Sequence, residues 1–270
     1  MKAVSKVIIG IVYAFLYAPL LYMVIFSFNA KKSLAVFGGF SLKWYQDLFN
    51  MGEVMESLRW TLILAVLSAL IATVFGTLAA LGLYMARNKF YKQSMLAVTN
   101  IPMMNPDIVT GISLMLLFVF IAGIMRRSES LSFATLLIAH VTFNLPYVIL
   151  NVLPKLNQTD KNLYEAAQDL GAPPAKAFFL VVIPQIVPGI ISGALMSFTL
   201  SIDDFIISYF TAPTEILTLP LKIEGMTRKT MPPTIYALST LMLITTLVLL
   251  LLINIIQSRS DKKTAKVAKP

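Results

Sequence analysis

The 270-residue chain contains no cysteine, which excludes disulfides and thiolate metal sites. It has a single histidine, His140. Only 13% of its residues are charged, too few to cover the surface of a soluble domain of this length. No stretch fits the pattern G-x-x-x-x-G-K-[ST], so the chain cannot bind ATP by a P-loop of its own, and energy input must come from a partner. Acids are scarcer than bases, giving a net charge of +9.

Apolar residues fill the space that charge leaves. They make up 57% of the chain, and the mean hydropathy is +0.79. They also come in blocks, at about 7–28, 60–85, 95–122, 131–153, 185–210 and 234–256. Each is close to the ~20 residues that cross a ~30 Å hydrocarbon core. Inside such a core only helices satisfy the backbone, so the expected fold is an all-α integral membrane protein with six transmembrane helices. The first block is too long for a signal-peptide core and no A-x-A site follows it, so it is read as a retained helix.

An even number of spans puts both termini on one side. The tight connection 86–94 carries Arg87, Lys89 and Lys92 and no acid, and the tail carries Arg259, Lys262, Lys263 and Lys266. The positive-inside rule therefore places the termini and the connection 155–184 in the cytoplasm. These bases at the inner rim fit anionic lipid head groups, and no nucleic acid is needed to explain the charge. The expected organisation is an N-terminal helix and external loop over 1–56, a transmembrane domain over 57–256, and a basic cytoplasmic tail, expected to lack order, over 257–270. Trp44, Tyr45 and Trp60 are read as interfacial anchors.

Two blocks carry small residues at helical spacing: Ser68, Ala72, Gly76 and Ala80, then Gly189, Gly193, Ser197 and Ser201. Such stripes let helix backbones approach closely in lipid. Tight packing is the leading reading, and the lining of a narrow path is the other. Asp107, Asp203 and Asp204 lie inside apolar blocks that hold no lysine or arginine. A charge near the bilayer centre costs about 2.5–3.5 kcal/mol on insertion scales, so such groups face a cavity or a partner. With Ser201 and Ser208 they are the candidate substrate path, and unneutralised acids suit a cationic solute. Asp107 also reads as a helix start, with Asn105 as cap and Pro106 in the first turn. In block five one acid can line the path while the other bonds a neighbouring helix. His140, near Asn144 and Pro146, is read as a hydrogen-bonded packing residue.

Residues 155–184 form a polar connection with a helix-turn-helix signature. Asp160 can cap a helix through Leu163, Tyr164, Ala167 and Leu170, and Gly171 can take the left-handed conformation that ends it. Pro173 and Pro174 start a second short helix over 174–182, with Phe178, Phe179 and Val182 as its apolar face, and Pro184 is expected to break it. Small Ala166 and Ala167 let another surface come close, while Tyr164 and Leu170 can fill pockets in it.

The order Glu165-Ala166-Ala167, then Gly171, then Val181-x-Ile183-Pro184 resembles the EAA loop of ABC-importer permeases, with Val181 and Ile183 as conservative departures. The stretches 103–114, 140–148, 197–213 and 219–226 look like those of polyamine (spermidine/putrescine) permeases within that family. The resemblance implies a type I ABC-importer transmembrane domain in a bacterial cytoplasmic membrane. It implies that Tyr164, Glu165, Ala166, Ala167, Asp169, Leu170, Gly171 and Pro184 couple the chain to an ATPase. It implies a paralogous permease, a dimer of ATP-binding subunits that hold ATP and Mg, and an extracytoplasmic polyamine-binding protein. A permease for another small cationic solute is the alternative reading. An ion-driven carrier is a remote one, because it has no use for an ATPase-docking elbow.

The absence of cysteine makes the topology directly testable. Single cysteines at Ser33 and Ser260 are expected to react with an impermeant thiol reagent in whole cells at Ser33 only. Labelling at Ser260 but not at Ser33 inverts the orientation.

Overall fold

The computed structural model describes residues 2–33, 35–126, 129–159, 161–229 and 232–267. Among them the chain is all-helical apart from one isolated antiparallel bridge, Asn29 to Phe40. In order, the helices are α1 Lys2–Ser27, α2 Lys43–Asn50, α3 Gly52–Met85, α4 Lys89–Met104, α5 Asp107–Ile124 and α6 Phe133–Gln158. They continue as α7 Lys161–Asp169, α8 Pro174–Ala177, a π-helical turn Phe178–Val182, α9 Ile183–Asp203, α10 Ile206–Thr211, α11 Leu219–Lys229 and α12 Thr234–Val267. Six segments are long and apolar enough to cross a membrane: Lys6–Ser27, Gly52–Met85, Asp107–Ile124, Phe133–Gln158, Pro174–Asp203 and Thr234–Ile256.

Several boundaries differ from the sequence expectation. The third apolar block is not one helix: α4 ends at Met104 and α5 begins at Asp107. Asn105 does not cap α5. It closes α4 in extended conformation, and Pro106 takes the cap position of α5 without a side-chain bond. The fifth block is also divided, between Asp203 and Ile206. The basic tail, expected to lack order, continues α12 as helix to Val267. Asp160, the expected cap of α7, lies outside the described residues.

The chain divides into two compact units. In the first, residues 1–58 and 222–247, the loop after α1 is organised by Asn29. Its Nδ2 donates to the Ser33 carbonyl at 2.9 Å and the Val36 carbonyl at 3.0 Å, and its Oδ1 accepts from the Gly38 N–H at 2.7 Å. Trp44 is buried and donates Nε1–H to the Asn29 carbonyl at 2.5 Å, so it holds this loop together and is not an interfacial anchor. Tyr45 is tied to Ser27, oxygen to oxygen at 2.7 Å. Lys222 pairs with Glu53.

The second unit, residues 59–221 and 248–270, is centred on α6. Ala72 and Ala80 of α3, Val148, Ile149 and Val152 of α6, and Ile186 of α9 share one buried cluster. The two small-residue stripes explain the arrangement. A Cβ added at Gly76 would lie 2.7 Å from Val148 Cβ, and one at Gly193 would lie 3.2 Å from Val148 Cα. A Cβ at Gly189 would sit 2.8 Å from the Asn151 carbonyl oxygen. Both stripes face α6, and tight packing is what they do. Ser68 and Ser201 then meet at 2.8 Å, and Asn144 Nδ2 donates to Ser201 Oγ at 2.7 Å, so one polar node links α3, α6 and α9. Further along, Phe118 of α5, Phe143 of α6 and Ile207 of α10 form a separate buried cluster.

Gly76→Ala is expected to destabilise the purified protein by about 1–3 kcal/mol, the usual penalty of overpacking. Val148→Gly removes both Val148 atoms that the added Cβ would meet, so the double variant should lose less than the sum of the two single losses. Strictly additive losses in thermal denaturation would show that Gly76 and Val148 do not share the contact.

Candidate functional site

Two features of the second unit carry chemistry: the elbow between α6 and α9, and the breaks that flank α5 and α10. In the elbow, Thr159 closes α6 and α7 follows at once. At the far end of α7, Gly171 has φ +87°, the left-handed region that favours glycine. Its N–H donates to the Gln168 carbonyl at 2.8 Å, and the Ala172 N–H donates to the Ala167 carbonyl at 3.1 Å. These paired bonds are a Schellman closure, so the third residue of the Glu-Ala-Ala run supplies the carbonyl on which the turn closes. Pro173 then caps α8 with Pro174 in its first turn.

The elbow presents part of its surface and anchors the rest. Glu165, Ala166, Asp169 and Gly171 are exposed, and Leu170 is 89% exposed. Ala167 is half-buried. Tyr164 does not project outward as its sequence position suggested. It packs, with Phe178, against the cluster of Val148, Val152 and Ile186. Phe179, expected on the same apolar face as Phe178, is exposed. Pro184 is exposed but does not break the second arm. The π-helical turn just before it widens the spiral, with the Ile183 N–H reaching the Phe178 carbonyl. A proline, which lacks an N–H, follows such a turn without ending the helix. Gln185 Nε2 donates to the Val181 carbonyl at 3.1 Å. The elbow is therefore continuous with the membrane span beyond it.

The second feature is the break at Asp204, which adopts φ −66°, ψ 123° after the last residue of α9. Its carboxylate accepts from the Ile207 N–H at 3.1 Å and the Ser208 N–H at 2.7 Å. It thus caps α10 from its own side chain, which is only 6% exposed. His140 Nε2 of α6 lies 3.5 Å from the same carboxylate and 3.1 Å from Ser208 Oγ. Asp204 is the acid that bonds a neighbouring helix, and His140 has the hydrogen-bonded packing role that its position suggested. Ser201 and Ser208 are both buried in this packing.

Asp203 and Asp107 are exposed. Asp107 opens α5, directly after the break at Asn105 and Pro106. One turn on, Gly111 is pressed against α10, where an added Cβ would lie 3.0 Å from Phe210 Cδ2 and 3.4 Å from the Ile206 carbonyl oxygen. The break before α5 and the break before α10 are therefore neighbours. The signal for the second break was present in the sequence as Asp204, three residues ahead of Ile207, but no proline or glycine marks it.

Residues 72–266 match the family described as "Binding-protein-dependent transport system inner membrane component". The chain is 38% identical to the putrescine transport system permease protein PotI of Escherichia coli K12, over 88% of this chain and 84% of that protein. It is 37% identical to the spermidine/putrescine transport system permease protein PotC of Haemophilus influenzae, over 93% of this chain and 95% of that protein. Among solved structures, a bacterial ABC transporter involved in import of the acidic polysaccharide alginate superimposes with a TM-score of 0.70 at 15% identity, covering 97% of this chain and 95% of that one. That likeness establishes the fold, an ABC-importer transmembrane domain.

Asp204→Ala is expected to lower stability by about 1–3 kcal/mol, since it strands two buried N–H groups and leaves His140 beside a void. Asp107→Asn is expected to change it by no more than about 0.5 kcal/mol. Thermal denaturation of the two purified variants tests the difference. Equal stability in both would show that Asp204 does not hold the break.

Proposed function

This chain belongs to the family of binding-protein-dependent transport system inner membrane components, and from that premise we propose that it forms half of a polyamine translocation path. The chain is a multi-pass permease subunit of an importer that works with partner subunits. The finer assignment is a spermidine or putrescine path shared with a paralogous permease. It is driven by a dimer of separate ATPase subunits that hold ATP and Mg, and supplied by an extracytoplasmic binding protein. The termini and the elbow face the cytoplasm.

The observation that carries this reading is the elbow. Its Schellman turn, its exposed Glu165, Asp169 and Leu170, and its anchored Tyr164 give a shaped surface with a rigid root. A plain connecting loop has no need of either. Because the second arm runs into α9 without a break, a push on the elbow is delivered along that helix toward Asp203 and Asp204. Identity of 37–38% to permeases named for putrescine and spermidine supports the solute class.

In the proposed path, Asp107 and Asp203 are the groups that meet an ammonium ion, a reading supported by the exposure of both. Removing water from a polycation is costly unless negative or dipolar groups replace it. Asp204 acts one step back, by holding the break open through α10 and His140. Broken helices at a shared level are a recurring way to build a transport site within a membrane.

The test is the assembled transporter, with its ATPase and binding protein, in liposomes. Spermidine or putrescine is expected to stimulate ATP hydrolysis, and a sugar is not. Gly171→Val should insert and fold normally, because an added Cβ meets no neighbour within 4 Å. It should nevertheless lose most ATPase association, because the left-handed turn penalises a side chain by about 1–2 kcal/mol. Asp107→Asn should lower polyamine uptake at equal assembly. Stimulation by a different solute alone would replace the polyamine assignment and leave the permease in place.

A further inference from the structure

Asp107, Gly111, Leu114 and Phe118 recur at helical spacing and so share one face of α5. Gly111 on that face lies against Phe210 of α10. Leu114 and Phe118 belong to the cluster that holds Ala139 and Phe143 of α6 and Ile207 of α10. Tyr147 joins the same cluster from α6, one turn beyond Phe143, with the two ring centroids 5.6 Å apart. Its ring is thus held by packing, while the side chain as a whole is only half-buried.

Two polar groups from different helices meet at the start of that face. The Asp107 carboxylate acts electrostatically on the Tyr147 hydroxyl. Among the described residues no hydrogen bond joins the two directly. Asp107 is exposed, so neither group is closed off from a third one.

A carboxylate beside a phenol suits an ammonium group. The carboxylate supplies the charge that replaces water around a cation. The phenol oxygen accepts an N–H, and its own O–H can turn to the carboxylate. A cation that carries N–H donors is therefore bonded by both groups at once, whereas a quaternary ammonium gains only the charge. The hydroxyl is also neutral. It adds direction to the site without the further charge that a third acid would bring, and so without hindering release.

We propose that Tyr147 and Asp107 together form a subsite for one N–H-bearing ammonium group of the transported solute, with Asp107 supplying charge and the Tyr147 hydroxyl a hydrogen bond. The proposal rests on the reading of the chain as a polyamine path, and adds to that path a selecting residue on a second helix. The ammonium is held between the break that precedes α5 and the central helix of the unit, α6.

The test uses the assembled transporter, with its ATPase and solute-loaded binding protein, in liposomes. Tyr147→Phe keeps the ring and its packing on Phe143, so its melting temperature is expected to match the parent's. Spermidine uptake should fall about threefold or more, and ATP hydrolysis less, so that less solute moves per ATP consumed. Tyr147→Phe combined with Asp107→Asn should lose less than the product of the two single losses, since both groups hold one ammonium. Uptake in Tyr147→Phe equal to the parent's, or single losses that multiply in the double variant, overturns the proposal. If the transporter moves a different solute and not spermidine, the polyamine reading fails on its own. The same variants measured with that solute then decide the subsite: a shared loss keeps it for that solute's cationic group, and no loss overturns it.

Discussion

A helix in a bilayer gains little by exchanging lipid for another apolar surface, so the packing of α6 between α3 and α9 has to come from close approach and hydrogen bonding. Everything else in the second unit depends on that contact. Gly76 and Gly193 meet the same residue, Val148, from two sides, and their lack of a side chain sets the distance. One to two turns away, Ser68, Asn144 and Ser201 exchange hydrogen bonds that a more distant packing could not form. Small residues and polar node are thus one device: the first brings the backbones near enough for the second, and the second fixes the register that the first leaves free to slide.

That register controls both functional features. The cluster that contains Val148 and Ile186 also receives Tyr164 and Phe178, so the root of the elbow rests on the tightest contact in the unit. At the other end of the same helix pair, His140 of α6 reaches the break that Asp204 makes after α9. One helix interface therefore meets the elbow at one end and the divided helices at the other. Packed side chains and rigid helices of this kind are one physical means of passing a displacement between them.

Much of this was legible in the sequence. Six apolar blocks gave the spans, the spacing of glycine and serine gave the packed stripes, and Gly171 with its paired prolines gave the turn. The errors share one cause: local residues were read as punctuation without the neighbours that decide their effect. Pro184 looked like a helix breaker, but a single π-helical turn absorbs its missing N–H. Asp203 and Asp204 looked like one continuous helix, because neither proline nor glycine follows them. The break there is made by a carboxylate turning back onto Ile207 and Ser208, and is held by a histidine more than sixty positions away in sequence. Trp44 looked like an interfacial anchor until its indole N–H was seen to close a loop onto Asn29.

Under the proposed polyamine path, the divided fate of the two adjacent acids bears on how a charged solute is handled. Three carboxylates all facing a path would bind a polyamine tightly, and a transporter must also let go. Burying Asp204 as a cap uses its charge on two backbone N–H groups and His140, so that little of it is available to a solute. Asp203 and Asp107 remain at the surface, one on each side of adjoining breaks. The same buried carboxylate caps α10 directly after Asp203, the last residue of α9. A neutral side chain at position 204 would loosen the cap and with it the spacing of the two exposed acids. Asp204 is in this sense a positioning residue for charge that it does not itself present.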